Sequence, residues 1–143
     1  MRNRFDRQLS TLNDELIEMG SMIEKSIETA IKALVNQDVD LARHAIEADE
    51  EIDRQERIIE DLCLKLLLQQ QPVAKDLRLI SSALKMITDM ERIGDQATDI
   101  AEILNTGSVH IPVTAIPLQE MADYAMHMVN DSVTAYVEGK SDL

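Results

Sequence analysis

Aromatic side chains make up only 2% of this 143-residue chain, one Phe, two Tyr and no Trp, and there are just four Gly and three Pro. An all-β architecture needs many turns and many aromatic or β-branched strand residues, so this scarcity excludes a sandwich or barrel. The single cysteine, Cys63, rules out an internal disulfide. It lies in the apolar helical stretch LCLKLLL, where a buried, reduced thiol is expected, as in the cytoplasm. No apolar run approaches the roughly 18 to 20 residues that span a bilayer. The N-terminus MRNRFDRQ is charged rather than signal-like, so direct membrane insertion is not expected. Basic residues are also few, 14 against 27 acidic ones, for a formal net charge of -13. Such a chain repels polyanions, and nucleic acid binding is disfavoured.

What remains is 45% hydrophobic residues, mostly Leu, Ile, Ala and Met, in a length that suits one domain with a real core. From Phe5, the positions Leu9, Leu12, Leu16, Met19, Ile23, Ile27, Ile31 and Leu34 recur every three or four residues. This seam predicts a first helix over 4–36. Asp38 is a candidate N-cap for a second helix, whose stripe runs through Leu41, Ala45, Ile52, Ile59 and Leu66 and ends near Gln71. Pro72 opens a third. That helix is apolar over a broad arc, with Leu77, Ile80, Leu84 and Ile87 on one stripe and Met90, Ile93, Ala97 and Leu104 on another. A broad arc suits contact with both neighbouring helices, and a second copy of the chain is a further candidate, so a homodimer or other homo-oligomer is expected. Gly107 marks a stop, and SVHIPVTAIP reads as the one long loop before a fourth helix from Pro117 to Glu138. Short corners favour antiparallel neighbours. The expected fold is all-α: an antiparallel three-helix bundle over 1–106, a linker at 107–116, and a fourth helix in 117–143.

The fourth helix echoes the first. The 26 residues from Leu16 align without a gap on those from Leu118, with identities at seven positions including Glu18 with Glu120, Met19 with Met121 and Ala33 with Ala135. Heptad patterning alone produces some of this agreement, but the match suggests that the fourth helix is the first helix of a second three-helix unit. The sequence then stops where the next helix of that unit begins, like a fragment. A lone helix cannot bury its apolar face, so it is expected to pack back on the bundle or be lent to another molecule.

The chemistry-bearing residues are two acidic ladders, Asp49 and Asp53 in ADEEID, and Glu91, Asp95 and Asp99 in MERIGDQATD. Residues four apart share a helix face about 5 to 6 Å apart at Cβ, so like charges crowd there at a cost of a few tenths of a kcal/mol per pair. A metal site is one reading: hard oxygen ligands from helices two and three, with Asp49, Asp53, Glu91 and Asp95 as ligands and Asp99, Glu56 and Glu60 in reserve. A solvated acidic face is the other. Gly94 beside Asp95 fits close approach to the backbone, whether by a ligand or by a packed helix. The donor set favours Mn, Mg or Fe over Zn, since no thiolate pair or histidine cluster occurs. The Glu-x-x-His of di-iron bundles is absent: Leu41, Gly107 and Tyr124 precede His44, His110 and His127 by three, and these histidines read as surface residues. Arg78, Lys85 and Arg92 recur every seven residues, and pairing with acids on a neighbouring helix is their expected role. No nucleophile with a base, P-loop or dinucleotide fingerprint is present, and the chain is not expected to be an enzyme.

QQQPVAKDLRLI from Gln69 and LKMITDMERIGDQATDI from Leu84, with NQDVDLARHAIEADEEID before them, resemble the PhoU family of phosphate-transport accessory proteins. The family signature is Glu or Asp, three residues, then Asp, in each of two three-helix repeats. Asp49 to Asp53 and Glu91 to Asp95 match the first repeat. The acidic motifs of a second repeat are absent, which puts any metal site or partner surface shared between repeats in doubt. The resemblance implies a cytoplasmic adaptor between the ATPase of a phosphate ABC transporter and a membrane sensor histidine kinase. It also implies metal at the acidic motifs and a kinase held non-signalling when phosphate is plentiful. The alternatives are a carboxylate-bridged metal enzyme and a metal-free helical scaffold.

Overall fold

A computed structural model of the chain describes residues 2–69, 73–105 and 118–139, all of them helix or helix end. Four helices follow in order: α1 (Arg2–Asn36), α2 (Val39–Gln69), α3 (Ala74–Asn105) and α4 (Leu118–Val137). The expected 107–116 linker, Pro72 and His110 lie outside the described residues. Among the described residues no helix is long and apolar enough to cross a membrane.

The predicted seams form the core, except that Leu77, at the first turn of the expected α3 stripe, lies near the helix end and is 43% exposed. Leu12, Leu16, Met19 and Ile23 of α1 have no exposed surface, and they pack with Ile52, Ile59 and Leu66 of α2 and Ile80, Ala83 and Ile87 of α3. Cys63 lies fully buried among them as a free thiol, and burial pushes its pKa up to about 11. A polar strap crosses this core: Gln55, itself buried, donates to the Glu15 carbonyl at 2.9 Å and to the Glu15 carboxylate at 2.6 Å.

Two residues make the corner between α1 and α2. Gln37 takes the left-handed conformation (φ 53), and the amides of Gln37 and Asp38 reach back to the carbonyls of Leu34 and Ala33 at 3.4 and 2.9 Å, a Schellman closure. Asp38 then caps α2, its carboxylate accepting from the amides of Asp40 and Leu41 at 3.0 and 3.2 Å, as its sequence position suggested. At the head of α3, Asp76 reaches back to accept from the Val73 amide at 3.3 Å.

The fourth helix packs back on the bundle, mainly on α1 and more lightly on α3. Ala122, Val129 and Val133 are its buried stripe. The Tyr136 hydroxyl donates to the Leu79 carbonyl at 2.9 Å, so the end of α4 lies beside the early part of α3. Gly139 follows α4 with φ +74, the left-handed stop that glycine adopts at least cost.

Candidate metal centre

Ile52 is the residue around which the site is built. It is 1% exposed, pinned in the core, and it holds its neighbours Asp49 and Asp53 at the edge of the face that α2 presents to α3. Opposite it is Gly94. A Cβ there would sit 3.0 Å from Ile23 Cδ1 and 3.7 Å from Ile52 Cδ1, so the missing side chain lets α3 close onto both α1 and α2. Asp95, the next residue, is carried up to the α2 ladder by that approach. One carboxylate oxygen each from Asp49, Asp53 and Asp95 lie within 4.8 Å of one another.

Asp49 and Asp53 are half-buried and Asp95 is exposed. Burial raises the pKa of Asp49 to about 6, with the Asp53 and Asp95 charges adding to the shift. Asp53 is raised too, by burial first and then by Glu91 and Asp95. Asp49 Oδ1 is buried with no hydrogen-bond partner. The nearby Thr98 hydroxyl, whose hydrogen bonding to the Asp49 carboxyl partly offsets the rise, is shared with the Gly94 carbonyl, to which it donates at 3.1 Å.

Three of the four first-choice ligands therefore meet, and the fourth turns to a different neighbour. Glu91 lies one turn before Asp95, where it raises Asp53 and shares a hydrogen bond with Glu56. Burial, that bond and the Glu91 charge push Glu56 up to about 8, while Glu60 adds a smaller repulsion. Glu56, held in reserve on spacing alone, thus pairs with Glu91 beside the triad, and exposed Asp99 lies outside it. Thr98 and Gln55 had no ligand-like signature. Their signal is a polar residue at an apolar position of the helical period. Arg92 does not reach a neighbouring helix as expected: it pairs along α3 with Asp89 at 4.0 Å, a solvent-exposed contact worth little. His44 and His127 are exposed.

A buried acceptor without a donor, three converging hard oxygens and carboxyls pushed toward protonation are the features of a site short of positive charge. Both a proton and a cation answer that need, and the all-oxygen donor set suits Mg, Mn or Fe.

A model described as the PhoU domain matches residues 16–104. The chain belongs to the PhoU family. It is 35% identical to the phosphate-specific transport system accessory protein PhoU homolog of Pseudomonas putida, covering 98% of this chain and 56% of that one. The homolog from Clostridium acetobutylicum is 39% identical over 99% of this chain and 65% of its own. PhoU of Escherichia coli is 32% identical over 93% and 56%. The chain therefore spans between about half and two thirds of these PhoU relatives. The crystal structure of PhoU from Pseudomonas aeruginosa superposes with a TM-score of 0.83 at 31% identity, over 96% of this chain and 67% of that one.

Proposed function

We propose that the chain is a regulatory adaptor of phosphate uptake and phosphate-starvation signalling. In this reading it acts in the cytoplasm by binding: it links the ATPase of a phosphate ABC transporter to a sensor histidine kinase and holds the response off when phosphate is plentiful. Its membership of a family whose relatives are named phosphate-specific transport system accessory proteins carries the reading. Homo-oligomerisation belongs to the same proposal, on the ground of the broad apolar arc of the third helix.

Asp49, Asp53 and Asp95 would hold a divalent or trivalent cation, with Glu91 and Glu56 beside it. The orphaned Asp49 oxygen and the hard donor set fit such an ion. It would supply positive charge that neutralises the facing carboxylates. The chain's own part is to present those carboxylates from a rigid frame, because Ile52 and Gly94 fix α2 against α3. A bundle cross-linked there would show a partner one defined α2–α3 surface. Without the ion, repulsion would loosen it.

Titration of Mn or Fe into the protein and into Asp95→Ala tests the site. Saturable binding lost in the variant supports it; equal, weak, salt-sensitive binding in both leaves only a solvated acidic face. Deleting the encoding gene tests the function. Starvation genes should switch on in phosphate-rich medium and switch off when the chain is restored, and unchanged expression after deletion overturns the adaptor role. Turnover of phosphoester substrates by metal-loaded protein, abolished in Asp95→Ala, would replace the adaptor with the carboxylate-bridged enzyme.

A further inference from the structure

Charge and exposed apolar surface are distributed unevenly along the bundle. Where α2 ends and α3 begins, Leu64, Leu68, Val73 and Leu77 are 54%, 82%, 62% and 43% exposed. The same end carries Lys65, Lys75 and Arg78, and the antiparallel course of α1 brings Arg4 and Arg7 there as well. Its acids are Asp6, Asp61 and Asp76, with Glu60 one turn below Leu64, against five basic residues, and Asp76 is buried and occupied with the Val73 amide. One end of a chain of net charge -13 is therefore basic and greasy.

Distances decide whether that end can act independently of the acidic centre. Asp95 lies 21 residues into α3 from Ala74, about 30 Å at 1.5 Å per residue. The screening length in physiological salt is about 8 Å, so the carboxylate cluster is not felt at the tip. The four aliphatic residues all fall within roughly 8 Å of their helix ends along the axis, a depth comparable to the 5–10 Å that interfacial helices bury in a bilayer.

We infer that the α2–α3 end of the bundle docks on an anionic lipid surface, its Leu and Val side chains entering the head-group boundary and its Lys and Arg side chains meeting the lipid charges. The side-chain chemistry favours lipid over a protein partner. Protein interfaces are enriched in aromatic residues and Met and depleted of Lys, whereas this end offers only aliphatic side chains flanked by flexible cations. The chain would lie against the membrane without spanning it, and the inference is independent of what the metal centre holds.

Co-sedimentation of the whole protein, kept metal-free with EDTA, tests this with phosphatidylcholine vesicles made with and without phosphatidylglycerol. Binding is expected to the anionic vesicles, to weaken as salt is raised, and to be slight on neutral ones. Each basic residue at such a surface is worth about a fivefold change in partition, so Lys75→Glu with Arg78→Glu should lower binding at least tenfold. Leu68→Gln with Val73→Gln should also lower it while leaving the helical spectrum intact, since both sites are exposed. Lys32→Glu with Arg43→Glu, which removes the same charge at the opposite end, should bind like the parent. Failure to bind anionic vesicles at low salt assigns this end to a protein partner and overturns the inference. An equal loss in the opposite-end variant overturns it too, since only net charge would then matter.

Discussion

Two glycines let helices approach closely in this bundle, for different ends. Gly20 on α1 faces α4, and a Cβ there would lie 3.2 Å from Val133 Cγ2 and 3.9 Å from Val129 Cγ1. The side chains that a Cβ would meet there are both valines, and closeness adds only packing. Gly94 on α3 faces Ile23 and Ile52 in the same way, but the residue beside it is an aspartate. Closeness there also buries two carboxyls beside like charges, and burial first, repulsion second, raise the pKa of Asp49 and Asp53. One geometric device thus stabilises the first interface and loads the second with repulsion. A fold that tolerates this is one in which the packing energy of the core exceeds the electrostatic cost at its edge.

The contrast can be broken from the core outward. Ile23→Ala removes the side chain beneath Gly94 and should cost about 2–5 kcal/mol in chemical denaturation, because Ile23 has no exposed surface. Asp95→Ala should weaken Mn binding by at least about 100-fold, beyond what loss of an outer supporting group produces, while leaving the α1–α4 contact untouched. The metal-free protein should lose stability as pH rises. Asp49 at about 6 and Glu56 at about 8 both stand above their ordinary values of 3.8 and 4.5. The fold therefore favours the protonated forms, and this stabilisation is complete below about pH 4 and gone above about pH 8. Melting temperatures across that window check it, and saturating Mn should flatten or reverse the slope.

The glycines themselves give a finer separation. Each Gly→Ala change gains up to about 1 kcal/mol of helix propensity and loses a similar amount to crowding, so stability should move little either way. Metal affinity should discriminate: Gly94→Ala should weaken it about tenfold, the 1.4 kcal/mol that a slight retreat of Asp95 would cost, and Gly20→Ala should not change it. Away from both glycines, Asp38→Ala should cost about 1 kcal/mol by uncapping α2.

Helix seams were plain in the sequence because apolar residues three and four apart have one simple explanation. The observed helices start and stop within a few residues of the expected bounds, with α2 closing at Gln69 and α3 opening at Ala74. Asp49 with Asp53, and their meeting with Asp95, were likewise legible from spacing and antiparallel pairing. Register was not. Ile52 lies against Gly94, so one turn back from Asp95 on α3 falls opposite one turn on from Asp53 on α2. That sends Glu91 to Glu56 rather than into the triad. No spacing within one helix carries this information, since it depends on how two helices slide past each other. The Gly94 side of the matter was half legible: closeness was expected, and the structure supplies Ile23 as the neighbour.

The corner of Gln37 and Asp38 has an effect well beyond the two residues in it. With no slack between α1 and α2, it works as an index mark from which every position on α2 is counted. A residue inserted between that mark and Asp49 would swing the ladder by about 100° around its axis and carry both carboxylates out of reach of α3. Length variation among chains of this kind should therefore collect at other junctions, and the span from corner to carboxylates should behave as a ruler.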